Sequence, residues 1–182
     1  MSRKHIIESL LIEIRPSKML SGQIGLFAAR HIKKDTVVAH TKRFKEIFHP
    51  WEDFKNLDKI TQRKIKQYCI MTKRGFYSPF DFNWLPVPWN MNHSCEYNVG
   101  FDKDENFVTV RSIRSGEELC WDYGMGISDE NFRLHCKCKS KKCRKIITGN
   151  DWQDPIYKKK NLKYFSRRLL KSVGVLAYEQ KI

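Results

Sequence analysis

Cys136, Cys138 and Cys143 crowd into eight residues of a 182-residue chain, and that spacing constrains the fold more than any other feature. Six cysteines in all would suit a secreted disulfide framework, but no apolar export signal precedes them: Met1-Ser2-Arg3-Lys4-His5 leads into alternating residues. Metal binding in a reducing compartment is the better reading. Tetrahedral zinc takes four soft ligands, so three local thiolates leave one position open, for which the adjacent His135 is one candidate. A short basic cysteine cluster is also the mark of a free-standing zinc knuckle that grips nucleic acid, and the cluster alone leaves that alternative open.

A chain of this length buries one sizeable core and is short for two, so a single domain with an appended metal lobe and a tail is expected. No run of eighteen apolar residues occurs, so no transmembrane helix is expected. The expected setting is soluble and intracellular, in nucleus or cytoplasm, or in a host nucleus if the source is a microbe. The formal charge is +15 and unevenly spread: from Arg133 to Lys171 there are 14 Lys and Arg against Asp151 and Asp154. Such a stretch suits an acidic surface or a nucleic-acid backbone, and it equally suits a solvated basic face with no dedicated partner.

Along the chain, Ile6-Ile7 and Leu10-Leu11-Ile12 read as a strand over His5 to Ile14, broken at Pro16. The Gly22-Gln23-Ile24-Gly25 turn leads into Leu26-Phe27-Ala28, and Thr36-Val37-Val38-Ala39 reads as a further strand. Trp51, Phe54, Leu57, Ile60, Ile65 and Tyr68 recur at the period of an amphipathic helix. Phe107 to Ile113 alternates before a turn at Ser115-Gly116, and Ser128-Asp129-Glu130 reads as a helix start. Lone Cys69 and Cys120 read as packing. Many short strands, one helical insert and no alternation of strand with crossover helix indicate an α+β, mainly β domain.

Asn92-His93-Ser94-Cys95 is followed by Glu118-Leu119-Cys120-Trp121-Asp122-Tyr123-Gly124 and then by the cysteine cluster. In that order the chain resembles the SET-domain protein lysine methyltransferases, whose marks are NHSC-x-PN, GEEL-x-x-DYG and a C-terminal C-x-C-x4-C. The likeness runs from about Ser21 to Trp152. It implies small curved sheets around a knot-like crossing that threads the Asn92 segment with the Tyr123 segment, a helical insert at about 51–70 and a C-terminal zinc lobe. It divides the chain into a catalytic domain (1–128), a post-SET zinc-binding segment (129–152) and a basic helix or tail (153–182). The implied activity is S-adenosyl-L-methionine-dependent methylation of protein lysines, histone tails foremost.

Residue by residue, the resemblance makes Tyr123 the group beside the transferring methyl and Tyr77 a second catalytic tyrosine lining the lysine channel. Trp121 stands in the channel where the family usually has Phe or Tyr; its bulk implies a restricted channel favouring low methylation states. Asn92 and His93 are implied to hold the adenosine, Ile24 and Gly25 to let backbone approach the other end of the cofactor, and Trp152 to cover the adenine. Cys95 is implied to close a structural Zn2+ site with Cys136, Cys138 and Cys143. The chain departs from the family pattern at Gln23, Trp89, Asn90 and Tyr97. The competing reading, from a different class, is a SET-like basic module without turnover that docks on chromatin or nucleic acid; retention of Tyr123, Asn92 and His93 argues against it.

Overall fold

The computed structural model describes residues 10–176. Its strands are β1 (Ile12–Pro16), β2 (Ile24–Ala28), β3 (Val37–Ala39) and β4 (Glu46–Pro50), followed by helices α1 (Trp51–Lys55) and α2 (Lys59–Tyr68). Then come β5 (Ile70–Thr72), β6 (Gly75–Pro79), β7 (Asn92–His93), β8 (Val99–Phe101), β9 (Phe107–Thr109) and β10 (Glu118–Trp121). The last elements are β11 (Arg133–His135), β12 (Ile146–Thr148), α3 (Pro155–Asn161) and α4 (Arg167–Ser172). Among the described residues no helix is long and apolar enough to cross a membrane.

The main sheet runs β1-β2-β10-β8-β9-β3, with β7 also on β10, and the smaller sheets are β4-β6-β5 and β11-β12. This is the α+β, mainly β fold of small sheets that the sequence implies. β10 is its hinge pin. Glu118 and Leu119 pair antiparallel with Phe27 and Leu26, whereas Trp121 has two parallel partners, His93 of β7 and Val99 of β8. The Asn92 segment therefore wraps the end of β10, with Ser94 N–H donating to Trp121 O at 3.1 Å and Asn98 N–H to Cys120 O at 3.0 Å. All four β10 residues are buried because the strand has neighbours on both edges and core on both faces, dominated by Leu26, Val99, Phe101, Ile113, Leu119 and Trp121.

Several sequence expectations change in detail. Of the apolar run from His5, the part up to residue 9, with Ile6 and Ile7, lies outside the described residues, and β1 takes up the described remainder from Ile12. Pro16 does not break the strand but ends it, opposite Ile24, where a missing N–H costs nothing. The single helical insert is two helices. Asp58 accepts the backbone N–H of Ile60 and of Thr61, capping α2 and turning the chain between the two. Ser128-Asp129-Glu130 starts no helix: the Asp129 carboxylate accepts from Asn131 N–H and its carbonyl from Phe132 N–H, a one-turn motif that leads into β11. The basic tail forms α3 and α4 as far as it is described, with α4 capped at Ser166 and its Leu169 packed with the preceding Phe165 on Met125.

Candidate active site and metal centre

Two cavities meet at Tyr123. One is narrow and mostly apolar, about 50 Å³, walled by Cys69, Met71, Trp121, Ile127 and Phe132. The other is a more open polar cleft of about 260 Å³, lined by Gln23, Ile24, Asn90 and Asn92. Gln67, Tyr68, Trp89, Met91 and Tyr123 line both and so form the partition. The Tyr123 hydroxyl donates to Met91 O at 3.3 Å, and burial pushes the phenol well above its ordinary pKa, so it stays protonated at neutral pH.

Of the residues implied by the sequence, Tyr123, Trp121, Ile24 and Asn92 stand on these two cavities. Trp121 packs on Phe101, Phe107 and Tyr123, at ring separations of 5.3, 5.9 and 4.8 Å, which locks it as a wall of the apolar cavity. Asn92 is buried, its amide donating to Ile24 O at 2.9 Å and to Glu118 Oε1 at 3.0 Å.

Four others fall elsewhere. Tyr77 sits on β6 against Phe48, with the Arg168 guanidinium 4.9 Å above its ring, and lines neither cavity. The tyrosine that joins Tyr123 is Tyr68, the last residue of α2, which the helical period counts merely as apolar. Trp152 packs on the Met125, Phe165 and Leu169 cluster and does not border the cleft. His93 is buried rather than presented to the cleft. Tyr123 N–H donates to its Nδ1 at 3.1 Å, which places the ring proton on Nε2, facing Cys95 Sγ at 3.5 Å. Asp122 Oδ1 lies 3.7 Å from Nδ1, yet burial outweighs it and pushes the imidazole pKa down to about 4, so the ring is neutral.

Gly25 is the fourth. A Cβ there would come within 2.3 Å of Glu118 Oε1, so the glycine makes room for that carboxylate. That carboxylate accepts from Ser17 Oγ at 2.8 Å, Lys18 N–H at 3.0 Å and Asn92 Nδ2, fastening the Ser17 turn, β2 and the Asn92 segment together. Glu118 stands inside a recognisable motif, but no residue pattern announces three partners so far away in sequence. Because those bonds keep it from swinging aside, Gly25→Ala is expected to cost about 1–3 kcal/mol of stability. A denaturant titration with an unchanged midpoint would show that Glu118 moves freely.

The four sulfurs of Cys95, Cys136, Cys138 and Cys143 lie within 4.8 Å of one another, and Cys95 and Cys136 are 3.8 Å apart. Four ligands at about 2.3 Å around one tetrahedral ion stand about 3.8 Å apart, so the group is close to the size zinc requires. Backbone N–H groups of Arg144 and Lys145 donate to Cys95 Sγ and Cys143 Sγ at 3.3 and 3.4 Å, which favours thiolates. The neutral His93 Nε2–H adds a donor to Cys95 from the active-site side. His135 is exposed on β11 and is not part of this group.

A small β protein with a two-chamber site and a four-cysteine centre is what the geometry defines. The SET domain family model matches residues 23–124, and the chain belongs to that family. It is 39% identical over 136 residues, 67% of this chain and 5% of the relative, to histone-lysine N-methyltransferase trr of Drosophila melanogaster. It is 42% identical over 66 residues, 31% of this chain and 27% of the relative, to the probable histone-lysine N-methyltransferase set-23 of Caenorhabditis elegans. Over 62 residues it is 37% identical to human histone-lysine N-methyltransferase 2D, covering 30% of this chain and 1% of that protein. The chain thus spans a small part of the curated relatives it matches.

Proposed function

We propose that the protein is an S-adenosyl-L-methionine-dependent protein lysine methyltransferase that acts on histone tails and carries one structural zinc. The observation that carries this reading is the partition: Tyr123, with Tyr68 beside it on the same two linings, stands between an apolar cavity narrow enough for an unbranched side chain and a polar cleft suited to a cofactor. Membership of the SET family and the names of the relatives support it.

A lysine amine is cationic at neutral pH, and making its neutral form at pH 7 costs about 4.6 kcal/mol. The apolar walls of Tyr68, Met71, Trp89, Trp121 and Phe132 disfavour the charged form by desolvation and so lower that cost. When bound, S-adenosyl-L-methionine supplies an electrophilic methyl group. The side-chain amides of Gln23, Asn90 and Asn92 give the cleft donors and acceptors for so polar a molecule, and Gln23 also lines an adjoining groove bounded by Ser17, Lys18 and the metal lobe. Tyr123, protonated and hydrogen-bonded, serves to orient rather than to abstract a proton. The bulk and tight packing of Trp121 favour low methylation states. Cys95, Cys136, Cys138 and Cys143 hold the zinc. The division into a catalytic domain to about residue 128, a metal segment to 152 and a basic tail beyond accords with these roles.

The test is methyl transfer from labelled cofactor to a panel of histones, with cofactor affinity measured in parallel. Transfer to histone lysines is the expected result. A folded protein that binds no S-adenosyl-L-methionine would overturn the reading in favour of a basic binding module.

Association with nucleic acid or nucleosomes is a separate part of the proposal. Lys137, Lys139, Lys141, Lys142 and Lys145 of the metal lobe and Lys159, Lys160 and Lys163 of the tail are exposed, whereas Arg144 and Arg168 are engaged in internal ion pairs. Salt-sensitive binding to duplex DNA is expected, with a slope of log affinity against log salt of about −0.9 for each phosphate that the lysines neutralise. Changing Lys159 and Lys160 to Glu should reduce both affinity and slope. Absence of binding at low salt would leave these lysines as a solvated face.

A further inference from the structure

Arg144 directly follows the last cysteine of the cluster, and its side chain turns inward. Nη1 donates to Asp122 Oδ2 at 2.6 Å and Nη2 to Asp122 Oδ1 at 2.7 Å, a two-pronged pairing. Nε and Nη2 also reach Asp151 Oδ2 at 3.2 and 3.1 Å, and the guanidinium lies 4.8 Å over the Tyr157 ring. Asp122 is fully buried and precedes Tyr123. Its Oδ1 accepts from Gly124 N–H at 3.1 Å, fixing the 3-10 turn Tyr123–Met125. On its backbone side Arg144 donates its N–H to Cys95 Sγ. One residue therefore touches a cysteine of the metal centre and the carboxylate that shapes the turn carrying Tyr123. It lies outside the span matched by the family model.

We propose that Arg144 is a positioning residue: it holds Asp122, and through Asp122 the Tyr123 turn, so that the geometry of the metal centre sets where the Tyr123 hydroxyl stands. Two features favour this over a merely structural ion pair. Asp122 is fully buried and both its carboxylate oxygens are held by the fork, so losing the guanidinium leaves a carboxylate without its counter-ion that the turn must shift to relieve. The planar fork also fixes direction, which a lysine ammonium at the same place does not. The catalytic part of the inference rests on the methyltransferase reading; the geometric part does not.

The test therefore uses two readouts in the full chain, zinc-loaded: turnover, and the 19F signal of a fluorotyrosine placed at position 123. Arg144→Ala is expected to keep about one zinc and near wild-type KM, to lose roughly 10- to 100-fold in kcat, and to shift the 19F signal. Added guanidinium, below denaturing concentration, should restore part of both, and Arg144→Lys should recover little. Unchanged kcat and 19F signal in a zinc-loaded Arg144→Ala protein would overturn the proposal. So would a loss that follows zinc content and does not respond to guanidinium. If Arg144→Ala does not fold, the isosteric Asp122→Asn carries the test: a shifted 19F signal with zinc retained supports the coupling, and an unmoved signal refutes it. Should the wild-type protein transfer no methyl group, the methyltransferase reading fails, and the 19F comparison alone decides the role of Arg144.

Discussion

Tyr123→Phe is expected to lower methyl-transfer turnover by about 10²- to 10³-fold, the size of effect that losing one positioned hydroxyl donor has elsewhere. Affinity for S-adenosyl-L-methionine should stay within a few-fold, because the cleft residues Gln23, Ile24 and Asn92 are untouched. A group that acts mainly in the transition state lowers kcat more than it lowers binding. The ring also keeps its packing against Trp121 and His93, so the fold should lose only the single bond to Met91 O, about 1 kcal/mol. Asn92→Ala should show the reverse emphasis: its amide joins β2 to Glu118, so cofactor affinity falls first. Isothermal titration and steady-state kinetics on the two variants separate these effects. Near wild-type turnover in Tyr123→Phe would remove the mechanism assigned to this residue.

Cys95→Ser should lose zinc as completely as Cys138→Ser, since both remove one of four thiolates from a single centre. Structural zinc in small cysteine sites contributes about 10–16 kcal/mol of apparent binding near neutral pH, and in such lobes binding and folding are the same event. Metal analysis should read about one zinc per wild-type chain and near zero for either variant after dialysis against a chelator. Proteolysis should then open the segment from Arg133 onward. The consequence reaches the Asn92 segment because Cys95 belongs to it, and Arg144 N–H loses its acceptor. A Cys95→Ser protein with full zinc would mean that another group closes the site.

Which positions of the candidate site are legible in the sequence depends on whether a residue's neighbours announce them. Asn92, Cys95, Tyr123 and the three clustered cysteines sit in contiguous motifs, and motif order carries them. Tyr68 has no motif: at the end of an amphipathic run it looks like any other apolar position, and only the fold places it on the same two cavities as Tyr123. Tyr77 is favoured by its place before Asn92 in sequence, yet pairing with β4 and β5 turns it toward Phe48 and Arg168. Asp58 is legible in principle, since an Asp before a helical run is a cap signal, but continuous apolar spacing hides the break. Gly25 and Glu118 explain each other only once β2 lies beside β10. Arg144 reads as one more charge in a basic stretch until its two carboxylates are seen.

The central place of β10 in the main sheet also governs the order in which the protein is made. β1 and β2 leave the ribosome early, but the partner for the inner edge of β2 and the acceptor for Ser17 arrive only with Glu118, 101 residues after Ser17. At about 5–20 residues per second, the core-facing side of that early hairpin, with Leu26, waits about 5–20 seconds without its cover. Closing so long a loop is slow compared with local folding, and the metal lobe is made later still. Nascent chains halted before Glu118 should therefore need a chaperone to stay in solution, whereas chains released past Arg144 can fold around the metal in one step.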